Sequence, residues 1–209
     1  FDTDDQKGAV KQAMADLNID DKKFNPSKIK NGISSAKNVL ITPQDYQAQD
    51  YIGEVIGRVY RRYQDLLVTN NAMDFDDLLI NTVQLFTQSP LVAAKYREQY
   101  QYLLIDEFQD TNLTQYSLMR RLVGEDSNIM IVGDADQSIY KWRGADIRNL
   151  IRFREDYPNA TQILLEENYR STQTILDVAK EVIKKNTNRV HKDLFTQRQG
   201  GELLVIEEA

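Results

Sequence analysis

Apolar residues recur every three to four positions through most of the first hundred residues, the spacing of amphipathic helices that bury one face. In TDDQKGAVKQAMADLN, Ala9, Val10, Ala13, Met14 and Leu17 fall on one side and Thr3 is the candidate N-cap. A turn at FNPSK leads to a short helix over 29–37, and beyond TPQD a long helix runs through Tyr51, Val55, Val59, Tyr63 and Leu66. From Asp74 the pattern changes. DFDDLLINTVQLFTQ predicts a helix opened by carboxylates that suit its positive end, and SPLVAAKYREQY predicts another with Pro90 in its first turn. Three short apolar runs then alternate with helical stretches: YLLI at 102–105, NIMIV at 128–132 and QILL at 162–165, with a fourth, ELLVIE, near the end. Strands alternating with helices predict a parallel, buried sheet, so the expected fold class is a helix-rich α/β.

Composition narrows the function classes only slightly. With 41% apolar and 28% charged residues, and no run approaching the roughly 18 uninterrupted apolar residues of a membrane span, a globular chain with no membrane partner is expected. The absence of cysteine excludes disulfides and thiolate metal sites and suits a reducing compartment, so a cytoplasmic location is expected. Phe1 opens the chain without a signal-peptide pattern, which reads as a piece of something longer. The net charge of −6 argues against a dedicated polyanion binder. Yet residues 138–154 hold Lys141, Arg143, Arg148, Arg152 and Arg154 against the single Asp146, so a nucleic-acid surface remains possible there.

Polar residues directly behind a buried parallel strand face the ligand side of a sheet. Asp106 and Glu107 follow YLLI in this way, and Gly133, Asp134 and Gln137 follow NIMIV. Such a carboxylate pair could hold Mg²⁺ through one member and orient or deprotonate a water through the other. Standing alone, the pair is better explained as a helix cap or a solvated acidic pair. In GDADQSIYKWRGAD, Gln137 is followed by Tyr140, Lys141, Trp142 and Arg143, the interleaved rings and cations of a single-stranded nucleic-acid platform, where stacking contributes about 1–3 kcal/mol per base. Tyr140 and Trp142 could share one face, although two core aromatics beside solvated arginines would look the same. In LLEENYRS, Tyr169 and Arg170 precede a helix capped by Ser171 or Thr172; the arginine could reach a phosphate or simply pair with Glu166 or Glu167.

Taken in order, LLIDEFQDTN, IVGDADQSIYKWRGAD and LLEENYRS resemble motifs II, III and IV of superfamily 1 DNA helicases of the UvrD/PcrA/Rep type. MDFDDLL at 73–79 and the helical leader are similar to the same family, so the resemblance spans essentially the whole chain. It implies part of a RecA-like P-loop NTPase sheet behind a helical subdomain. Residues 1–72 would be a helical 1B-like subdomain, 73–160 the C-terminal part of motor domain 1A, and 161–209 the start of motor domain 2A. The resemblance implies Mg²⁺ coordination by Asp106, water activation by Glu107, and γ-phosphate sensing coupled to DNA by Gln137. It also implies adenine contact by Tyr169, an arginine finger in Arg170, and single-stranded DNA contact by Tyr140, Trp142 and Arg143. The implied cofactors are ATP and Mg²⁺; the implied partners are single-stranded DNA and the remainder of the helicase chain; the implied direction is 3′ to 5′.

One part of that machinery is missing. A P-loop requires G-x-x-x-x-G-K-[ST], and none of the nine glycines here is followed by Lys. The chain is therefore expected to be inactive alone as an ATPase, within a longer protein that is an ATP-dependent helicase. Two other classes stay open: a metal-dependent nuclease using Asp106, Glu107, Asp110 and Asp134, and a non-enzymatic module that binds single strands or a protein. The only histidine, His191, lies in a polar segment and reads as solvated.

Overall fold

The computed structural model describes residues 1–124, 128–186, 192–202 and 204–205. The chain opens with three helices, α1 (Thr3–Asp16), α2 (Pro26–Lys37) and α3 (Tyr51–Thr69). Their apolar stripes close on one core of Val10, Met14, Ile29, Ile33, Val59, Tyr60, Tyr63 and Leu67. Each start has a side-chain cap: Asp2 for α1, Asn25 ahead of Pro26 for α2, and Asp50 for α3. The cap of α1 thus lies one residue before the expected Thr3. Asp2 accepts from the amides of Asp4 and Asp5, and Asp5 answers the amide of Asp2, which satisfies more orphan donors than a hydroxyl one position later could.

The next two helices, α4 (Phe75–Gln88) and α5 (Pro90–Gln99), lead to a parallel two-stranded sheet of β1 (Tyr102–Ile105) and β2 (Asn128–Ile131), joined through α6 (Leu113–Leu122). The register pairs Tyr102 with Asn128 and Ile105 with Ile131. Ladder-like bonds continue past β2, where the Val132 amide donates to Ile105 at 2.8 Å and the Phe108 amide donates to Val132 at 2.9 Å. One sheet face lies over Phe108, Tyr116, Met119 and Phe153, the last on α7 (Arg148–Asp156). The other face is open. Tyr102 and Leu104 are each 74% exposed, so the expected two-sided burial does not hold for the described residues, none of which covers that face.

The helix-rich α/β class is as expected, but the strand at QILL is not formed. Residues 161–166 have no regular structure, and Ile163 and Leu165 point outward. A strand gains its stability from its neighbours, and among the described residues only an isolated bridge between Glu167 and Phe195 pairs this region. Of ELLVIE, Leu203 and residues 206–207 lie outside the described residues, as does His191; Glu202, Leu204 and Val205 form no strand. The last helix, α8 (Gln173–Ile183), starts at Thr172 as expected, though without a side-chain cap bond. Among the described residues, no helix is long and apolar enough to cross a membrane.

The helical layer meets the sheet layer through the end of α2. The Lys37 ammonium, 1% exposed, donates to Asp74 and Asp77 at 2.7 Å each, and the Tyr63 hydroxyl donates to Asp74 at 2.8 Å. Next to it the Thr114 hydroxyl donates to the Lys37 carbonyl at 2.7 Å, and the Asn112 amide donates to the Asn38 side chain at 2.6 Å. Burial works to raise the Asp74 carboxyl's pKa, but Lys37, Tyr63 and the Asp77 amide outweigh it and hold it below the ordinary 3.8. Burial in turn pushes the Tyr63 hydroxyl far up, with Asp74 beside it adding to the shift. A carboxyl depressed in the folded state stabilises the fold above its unfolded pKa and loses that contribution as pH falls through the folded value. Asp76, raised mainly by burial, works in the opposite direction. Urea denaturation in a pH series should therefore show stability falling below about pH 4. In Asp74→Asn that acid limb should be shallower; an equally steep limb would remove Asp74 as its cause.

Candidate functional site

Beyond β1 the backbone turns at once. Glu107 adopts the left-handed conformation, φ 50° and ψ 41°, and opens a 3₁₀ turn at Phe108–Asp110. A non-glycine residue held there costs on the order of 1–3 kcal/mol, and such strain tends to gather at functional sites. Asp106 and Glu107 are both exposed, and the Asp106 carboxylate accepts the Glu107 amide at 2.8 Å. The Glu107 carboxylate accepts from the Gln109 amide nitrogen at 2.6 Å. The Gln109 side chain is buried, and its oxygen accepts the Asp134 backbone amide at 2.9 Å.

That last bond joins the loop after β1 to the loop after β2. Glycine lets the two loops approach at 133, because a Cβ there would lie 2.7 Å from the Gln109 Oε1 and 3.3 Å from the backbone nitrogens of Phe108 and Gln109. Asp134 then accepts from the Gln137 amide nitrogen at 2.8 Å and from the Asp136 amide at 3.0 Å, and ion-pairs with Lys192. Burial alone would raise the Asp134 pKa; Lys192, Gln137 and the Asp136 amide together pull it below the usual carboxylate value. Among the described residues, Asp106 and Glu107 do not join a group of three or more metal-ligating side chains. Two exposed carboxylates suit Mg²⁺, which ordinarily takes one or two protein oxygens and completes its shell with phosphate and water. The four-carboxylate cluster that a nuclease would need is not assembled by the described residues.

The aromatic pair follows in the same loop. Tyr140 and Trp142 stand with ring centroids 6.3 Å apart and planes tilted by 48°, and Trp142 is 74% exposed. Tyr140 precedes a 3₁₀ turn at Lys141–Arg143 and Trp142 lies within it; Gly144 ends the turn with φ 88°. The side chain of Arg143 lies outside what is described. Arg148 and Arg152 both reach Asp146, at 2.7 and 3.2 Å, so the one acid of this basic stretch sits between two of its cations. The hydrogen bond from Arg148 holds the Asp146 carboxyl below its ordinary value.

Tyr169 and Arg170 sit in the loop before α8. Tyr169 is 76% exposed, and its hydroxyl donates to Glu167 at 2.9 Å, which raises the phenol's pKa. Asn168 accepts the amides of Arg170 and Ser171, and Arg198 donates to the carbonyls of Tyr169 and Arg170. Arg170 is exposed and forms no ion pair with Glu166 or Glu167. Asp106, Glu107 and Gln137 are thus linked through Gln109 and Asp134, and Tyr140 is set beside Trp142. No hydrogen bond among the described residues ties Tyr169 or Arg170 to Glu107 or Gln137. Sequence reasoning missed Gln109 and Lys192. The signal for Gln109 was its place two residues after the acidic pair.

Comparison with known proteins bears on the whole chain. Residues 1–158 match the family model for the UvrD/REP helicase N-terminal domain, and residues 163–209 match that for the UvrD-like helicase C-terminal domain. The ATP-dependent DNA helicase PcrA of Staphylococcus aureus (strain NCTC 8325 / PS 47) is 48% identical over 211 residues, 100% of this chain. The protein of the same name from Bacillus subtilis (strain 168) is 48% identical over 203 residues, 96% of this chain. The chain spans 29% and 28% of those two relatives.

Proposed function

The chain belongs to the UvrD/REP helicase family, and from that premise we propose that it supplies the central part of an ATP-dependent 3′-to-5′ DNA helicase. The observation that carries this reading is the hydrogen-bonded path from Glu107 through Gln109 and Asp134 to Gln137, because it joins a hydrolytic carboxylate to the loop that bears the aromatic pair. PcrA relatives matching along the whole chain support it.

In this mechanism Asp106 holds the metal, and Glu107 orients the attacking water and takes its proton. A bound Mg²⁺ would neutralise charge developing on the phosphates. Gln137 lies at the γ-phosphate and reports its presence to the neighbouring loop. Arg170 places its guanidinium on the transferring phosphoryl group, and Tyr169 packs on the adenine. Tyr140 and Trp142 stack on bases of a single DNA strand, and Arg143 neutralises phosphate. ATP is held between the two motor domains, 73–160 and the one beginning near 161, with 1–72 as the helical 1B-like subdomain. The P-loop and the rest of motor domain 2A are contributed by the remainder of the helicase chain, and the setting is cytoplasmic.

Mg-ATP hydrolysis tests this directly. The chain alone is expected to show no turnover, with or without single-stranded DNA, whereas the full-length protein turns over with DNA stimulation. Glu107→Gln in the full-length protein should lower that rate by about 10²–10⁴, the usual contribution of a positioned base. Turnover by the chain alone would refute the account of the phosphate site, and an inactive full-length protein would leave a DNA-binding module in its place.

A further inference from the structure

Resting on the helicase reading, we propose that Gln109 is a positioning residue, clamping the Glu107 carboxylate and fixing it to the loop that carries Gln137, Tyr140 and Trp142. Gln109 is 1% exposed, yet neither end of its amide is idle. Its nitrogen donates to Glu107 at 2.6 Å while its oxygen accepts the Asp134 amide at 2.9 Å. The first bond is short, as expected where the acceptor is ionised. The second brings the amide oxygen close against Gly133, where a Cβ would lie only 2.7 Å from it. Two further bonds brace the same junction: the Ser138 hydroxyl donates to the Gln109 carbonyl at 3.3 Å, and the Phe108 amide to Val132 at 2.9 Å.

The residue type follows from these partners. The position requires a donor toward a carboxylate and an acceptor toward an N–H on one side chain of this length, and a glutamine amide offers both at once. Glutamate would present like charge to Glu107; leucine would fill the volume and abandon both bonds. Glu107 is therefore fixed from two directions, by its left-handed backbone and by the Gln109 nitrogen. A shift of the loop after β2 on binding nucleotide or DNA draws on the Asp134–Gln109 bond and so moves the carboxylate.

A merely structural buried amide would weaken the fold and leave the coupling intact, so the test separates the two. In the full-length protein, Gln109→Leu is expected to lower the DNA-stimulated kcat by about 100-fold, the scale of a misplaced reacting group. KM for ATP should stay within about threefold, since uniform binding is untouched. The losses from Gln109→Leu and Gln137→Ala should fail to multiply in the double variant. Without nucleotide, amide hydrogen exchange over 133–138 should accelerate in Gln109→Leu, reporting the freed Asp134 N–H. Unchanged kcat, a loss carried by KM, multiplying effects or unaltered exchange would each overturn the proposal. If Gln109→Leu does not fold, Gly133→Ala displaces the same oxygen and should lower kcat at constant KM; wild-type kcat there would overturn it too. Wild-type protein without turnover, or Glu107→Gln that keeps it, would instead refute the underlying helicase reading.

Discussion

Lys37→Met is expected to destabilise the fold by about 3–5 kcal/mol at neutral pH, the range seen when one partner of a buried ion pair is removed. Methionine fills the volume of the aliphatic stem, so little packing is lost. What remains is two carboxylates, Asp74 and Asp77, buried within one capping box and deprived of the cation that both accept from. Since a domain is stable by only about 5–15 kcal/mol, the variant sits near its unfolding threshold. The pH dependence should also weaken. With Lys37 present, the Asp74 carboxyl is depressed and acid removes stability; without it, only the Tyr63 hydroxyl and the Asp77 amide still oppose burial, so acid should remove less stability than in the wild type. Urea unfolding followed by circular dichroism at two pH values checks both points. A loss under about 1 kcal/mol would show that the three groups had been hydrated all along.

Arg170→Ala in the full-length protein is expected to reduce kcat for ATP hydrolysis by about 10³–10⁵, the contribution of an arginine finger in phosphoryl transfer. The thermal unfolding midpoint should scarcely change. The loop is shaped through its backbone, by Asn168 on the amides and Arg198 on the carbonyls, so its form does not depend on the Arg170 side chain. Arg170→Lys should recover little, because an ammonium lacks the planar fork that spans two phosphate oxygens. A fall in kcat smaller than about tenfold would remove Arg170 from the reacting centre.

How much of this was legible in the sequence depended on how local the cause was. Helices α1 to α5 follow from the three-to-four spacing of their apolar residues, a property each segment carries by itself. Even there the cap of α1 fell at Asp2, because competing caps one residue apart differ only in how many amides they reach. The strands β1 and β2 form because they pair with each other; QILL reads equally apolar but pairs with no strand among the described residues. In the candidate site, the acidic pair and the aromatic loop stood out by position after strands. Gln109 did not, since a buried amide bonded at both ends looks in sequence like any surface glutamine. Lys192 meets Asp134 across 58 positions, a contact no periodicity encodes.

The Lys37 cluster also ties the first three helices to the segment that follows them. Contacts among α1, α2 and α3 already bridge separations such as the 46 positions between Asp16 and Arg62. The ammonium in their midst must keep its water until residues 37 and 40 positions further along arrive to receive it. The three helices therefore do not complete a foldon of their own, and their slowest exchanging amides should share the protection of α4. A cut after residue 72 would leave a hydrated charge where the native core is dry.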